Sequence, residues 1–85
     1  MDHVQSSWKE DTVIGQLHNS VDNVTFAVGQ ALTDPTDRAM QNVEDMIERA
    51  NRSVKMALDS RGEIEPISQL QDQLRESIEK FHTLQ

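Results

Sequence analysis

Side chains able to bind a metal or move a proton are few in this chain, and they are scattered. His18 and Asp22 stand one helical turn apart, where an imidazole and a carboxylate share a face and can hold a cation between them. His3 and His82 are remote in sequence, so this pair offers two ligands and no third. Glu44, Asp45 and Glu48 gather carboxylates as di-metal bundles do, but those bundles need Glu-x-x-His on facing helices, a pairing this chain does not offer. The neighbouring arginines explain the acids better. Asp45 to Arg49 and Glu48 to Arg52 are spaced as helix-supporting ion pairs, each worth ~0.2–0.5 kcal/mol.

The absence of cysteine removes disulfides, thiolate ligands and cysteine nucleophiles together. No nucleophile, base and oxyanion donor fall into a workable combination, so the expectation is a protein that is not an enzyme and carries neither cofactor nor metal. Asn23-Val24-Thr25 and Asn51-Arg52-Ser53 fit the glycosylation acceptor pattern, and with no export signal beside them they are expected to be chance matches. Met1-Asp2-His3 has neither a basic start nor an apolar run, which predicts no signal peptide, no membrane span and a cytoplasmic address.

Charge narrows the partners. Eight basic residues face fifteen acidic ones for a net charge of −7, a field that repels phosphate backbones and acidic lipid, so neither nucleic acid nor membrane is expected. The deficit is uneven: residues 1–34 carry −4 and residues 63–85 carry −3, while residues 35–62 hold five acids and five bases. With 85 residues there is room for one domain, and apolar residues at 35% imply a thin, economically patterned core.

Three helices are expected to supply it, over about 8–32, 35–59 and 65–84. Ile14, Leu17, Val21, Val24, Val28 and Ala31 recur at alternating spacings of three and four, a coiled-coil stripe, and Ser7 with Glu10 fits a capping box ahead of it. Trp8 is placed to cover an end of the bundle. Asp34 as cap and Pro35 in the first turn begin the second helix, whose stripe is Met40, Val43, Ile47, Ala50, Val54 and Ala57 and whose stop is Gly62. The third starts near Pro66, with Glu63 and Glu65 at its positive end, and runs Ile67, Leu70, Leu74, Ser77, Phe81 and Leu84. Ser77 interrupts the apolar set, and Ile78 is expected to take its place by a small rotation.

Facing positions in an antiparallel hairpin have numbers of constant sum. That sum is 71 for the first two stripes and 124 for the last two, so the mirror points fall on Pro35 and Gly62, where turns are needed. The six layers also alternate large with small, Ala50 facing Val21 and Leu74 for example. An all-α antiparallel three-helix bundle follows; a helical hairpin that dimerises into four helices is the structural alternative.

The outward faces hold the anomalies. Phe26 falls farthest from the first stripe, and Met56 points outward on the second helix. Around Phe26 the outer face reads Gly15, Gln16, Asn19, Asp22, Asn23, Gly29 and Gln30, nearly uncharged in a chain that is 27% charged, and low charge marks interface cores. Gly15 and Gly29 lie four turns apart on this stripe, each a cost of about 0.5–1 kcal/mol against alanine, which points to close approach by something.

The Asp-Pro turn, the second helix with Asp37-Arg38-Ala39-Met40-Gln41-Asn42-Val43-Glu44-Asp45 and the third with Gln69-Leu70-Gln71-Asp72-Gln73-Leu74 together resemble the small uncharacterised helical proteins of spore-forming bacilli. The resemblance covers residues 17–85 at the level of pattern, contains no functional motif, and implies a cytoplasmic bacterial protein. The function expected from the residues is a non-catalytic protein–protein interaction module, or a small regulatory or adaptor protein, binding itself or another protein through the stripe. The alternatives are a small metal- or ligand-binding protein using His18 and Asp22, and a subunit of a larger helical assembly.

Overall fold

A computed structural model describes residues 12–84. Ser7, Trp8, Glu10 and His3, to which the sequence assigned roles or ligand chemistry, lie outside the described residues. Three helices follow one another: α1 over Thr12–Thr33, α2 over Asp37–Arg61 and α3 over Glu65–His82. They form an antiparallel three-helix bundle in which α1 and α3 run parallel, with α1 central and α2 and α3 each packed against it.

The α1 stripe is buried throughout, from Ile14 to Ala31, and Ala27 joins it. On α3, Ile67, Leu70, Leu74, Ser77 and Phe81 are buried and Leu84 half-buried. On α2 only Val43, Ala50 and Ala57 are fully covered; Met40, Ile47 and Val54, expected in the same layers, are half-buried. The reason is a rotation of α2 toward α1. Small residues at 50 and 57 allow close approach, Ala27 is covered, Met46 is drawn against the core, and Ser20 Oγ meets Ser53 Oγ at 3.0 Å. Contact between α2 and α3 is correspondingly the thinnest of the three.

Ser77 does not yield its place to Ile78, which stays half-buried. Its hydroxyl lies 3.2 Å from Thr25 Oγ1, and a buried polar group that finds a partner carries little penalty. Among the described residues every buried side-chain nitrogen and oxygen is partnered.

The turns differ in one detail from the sequence reading. Thr36, not Asp34, caps α2: its Oγ1 accepts the Ala39 amide at 3.1 Å, leaving Pro35 just ahead of the cap. Asp34 instead closes α1, its amide donating to the Gln30 carbonyl at 2.8 Å. Gly62 ends α2 as expected, but with φ 76° and ψ −171° it leaves in an extended conformation, and its amide donates to the Leu58 carbonyl at 2.9 Å. That combination of angles is open essentially to glycine alone. Pro66 occupies the first turn of α3, where Glu65 suits the positive end of the helix dipole as Lys80 in the last turn suits the negative end.

Candidate functional site

The outer face of α1 is laid open by the packing of its opposite side. With Leu17, Val21, Val24 and Val28 turned into the core, the residues half a turn away must face water, and Phe26 is 67% exposed. It does not fold back over the bundle. Gly15, Asn19, Asp22, Phe26, Gly29 and Thr33 recur at alternating spacings of four and three, so they line up as a second seam on the helix.

Beside Phe26 runs a shallow groove of about 850 Å³ between the C-terminal half of α1 and the start of α2. Phe26, Gly29, Gln30 and Thr33 form one wall, and Arg38, Ala39 and Asn42 the other. Gly29 faces open space in it, where a methyl group would meet nothing within 4 Å. Nothing within the described chain approaches Gly15 or Gly29 closely, so their open space belongs to the surface.

Of the residues singled out in the sequence, the structure brings Phe26, Gly29 and Gln30 together on this groove. Asn19, Asp22 and Asn23 extend the same exposed face toward the other end of α1. Met56 is exposed, at 53%, but stands on α2 some eleven residues beyond the level of Phe26, roughly 16 Å along the bundle, and joins no patch with it. The groove residues missed in the sequence are Thr25, Thr33 and Asp34 on the α1 side and, on the opposite wall, Thr36, Arg38, Ala39 and Asn42. Their signal was in the hairpin register, which sets Asn42 level with Gly29 and Arg38 level with Thr33.

Among the described residues the titratable groups assemble no larger centre. His18 Nδ1 lies 3.4 Å from Asp22 Oδ2, both half-exposed. Glu79 and His82 form a single Glu-x-x-His on α3, unnoticed in the sequence reading, with no equivalent opposite it. Among the described residues no three His, Cys, Asp or Glu side chains stand close enough to hold a metal ion together. Of the two ion pairs expected on α2, Glu48 to Arg52 is present at 3.7 Å, while Asp45 and Arg49 are exposed and unpaired with each other. No described helix is long and apolar enough to cross a membrane. No protein-family model, curated protein or solved structure matches the chain.

Proposed function

We propose that this protein is a non-catalytic interaction module, a small adaptor of the cytoplasm that binds protein through the outer face of α1. The observation that carries the reading is Phe26, a large aromatic ring exposed in mid-helix beside an open groove. Exposed apolar residues are common singly. Here the ring belongs to a face that carries only His18 and Asp22 as titratable groups, in a chain with net charge −7. A nearly uncharged strip loses little solvation when covered, and an aromatic anchor beside a pocket is how interfaces concentrate their energy.

The test is Phe26→Glu. A carboxylate at an exposed site leaves the core intact, so circular dichroism should show unchanged helicity while association, read by sedimentation for self-binding and by affinity capture for another protein, is lost. Retained association in both assays would refute the reading.

A further inference from the structure

We infer that α3 is exchangeable, and that this chain forms a dimer in which α3 of each copy seats on α1 of the other. The inference goes beyond the reading of the outer α1 face and does not depend on it. Along the chain α3 is joined to α2, through the three residues 62–64. In space it packs mainly on α1, and its contact with α2 is the thinnest in the bundle. The helix that tethers α3 is therefore not the one that holds it, and an element held on one side opens at lower cost than the α1–α2 hairpin.

The occupant of the vacated α1 face follows from what already sits there. Ile67, Leu70, Leu74 and Phe81 are buried, and Ser77 Oγ stands 3.2 Å from Thr25 Oγ1. The α3 of a second copy brings the same side chains to the same surface, so no new complementarity is required. The hydroxyl pair also sets the register, with Ser77 beside Thr25 of the partner subunit, since other alignments bury the serine against carbon.

Exchange reproduces every contact except those of the hinge, so the hinge decides the balance. This one is short and constrained. Gly62 holds φ 76° and ψ −171°, and Ile64, which caps α3, makes no side-chain cap bond and is 39% exposed. Short hinges under strain invite exchange, because opening releases them. Against it, Glu63 and Glu65 set like charges where the two open hinges cross, and salt screens that repulsion. The dimer should therefore grow with ionic strength as well as with concentration.

The experiment is disulfide trapping in the full chain, which has no cysteine of its own. Thr25→Cys with Ser77→Cys joins α1 to α3. Ser20→Cys with Ser53→Cys, at hydroxyls 3.0 Å apart, joins α1 to α2, which stay in one chain in either state. Each double variant, verified as folded by circular dichroism, is equilibrated at high concentration and high salt, oxidised and run on a non-reducing denaturing gel. Exchange gives a covalent dimer from the 25/77 pair and a monomer from the 20/53 pair. Gly62→Ala penalises only the closed hinge, so it should tighten the dimer by about tenfold or more, read by sedimentation. Phe26→Glu should leave the covalent dimer unchanged. Monomer alone from both pairs, or dimer equally from both, overturns the exchange. Should neither pair oxidise, sedimentation decides, and a Gly62→Ala chain no more associated than wild type overturns it. Association lost with Phe26→Glu while the 25/77 pair closes within one chain overturns the exchange and leaves the outer α1 face standing.

Discussion

Thr25 Oγ1 and Ser77 Oγ meet at 3.2 Å across the α1–α3 seam, where Thr25 also donates to the Val21 carbonyl at 3.2 Å and accepts from Gln73 Nε2 at 3.3 Å. With the threonine proton on Val21, Ser77 is the donor between the two hydroxyls. A single polar position in an otherwise aliphatic seam penalises every other alignment, since sliding α3 by one layer would bury the serine against carbon alone.

The two partners are unequal. Ser77→Ala removes a buried hydroxyl and leaves Thr25 with its other bonds, so it should cost no more than about 1 kcal/mol. Thr25→Val strands the buried Ser77 hydroxyl and should cost about 1–3 kcal/mol. The double variant should recover part of that loss, because no orphan remains. Urea unfolding of the four proteins measures the coupling, and equal costs for both single changes would contradict the assignment.

Burial is likewise uneven along the stripes. Leu17 is fully enclosed, and Leu17→Ala should cost about 2–5 kcal/mol, a large share of the stability of a domain this small. Leu17→Asp should leave no cooperative thermal transition. Ile47→Ala removes a side chain that is only partly covered and should cost clearly less than Leu17→Ala. Equal destabilisation by the two alanine variants would mean that α2 is not rotated toward α1.

The turns offer an independent check. Thr36→Ala deletes the cap on the Ala39 amide and should cost about 1 kcal/mol, whereas Asp34→Ala should leave stability within about 0.5 kcal/mol. Gly62→Ala meets no clash, yet forces a side chain onto φ 76° and ψ −171°, for about 1–3 kcal/mol. Thermal melts rank the three; a larger loss at Asp34 than at Thr36 would return the cap to Asp34.

The bundle, its three stripes and both turns were legible because spacing and breakers agreed: apolar residues at three and four, with mirror points on Pro35 and Gly62. Periodicity alone could not show how far α2 turns about its own axis. That depends on how closely Ala50 and Ala57 let it approach, and on Ser20 finding Ser53. Apolar spacing cannot show that Ser77 keeps its place, because its partner Thr25 stands on a different helix fifty-two residues away. The cap is ambiguous in sequence because Asp34 and Thr36 both suit the role, and only the backbone path through Pro35 separates them. Phe26 was legible as an outlier; the second wall of its groove required the tertiary register.

His18 and Asp22 supply two donors among the described residues and gather no third. Two donors alone hold a divalent ion weakly, so calorimetric titration with zinc, manganese and calcium should give no heat beyond dilution; a saturable isotherm lost in His18→Ala would establish a metal site.

Gly15 and Gly29 separate folding from binding. Both sit within α1 with open space where a side chain would begin, so Gly15→Gln and Gly29→Gln should each raise stability by roughly 0.5 kcal/mol through helix propensity. Gly29 lines the groove beside Phe26, whereas Gly15 lies outside it. Gly29→Gln should therefore fold better and associate worse, while Gly15→Gln folds better and associates unchanged. Melting and sedimentation on the same two proteins read both quantities. Opposite signs at Gly29 cannot arise from damage to the fold, and if the loss of association appeared at Gly15 instead, the seam would be engaged at its other end.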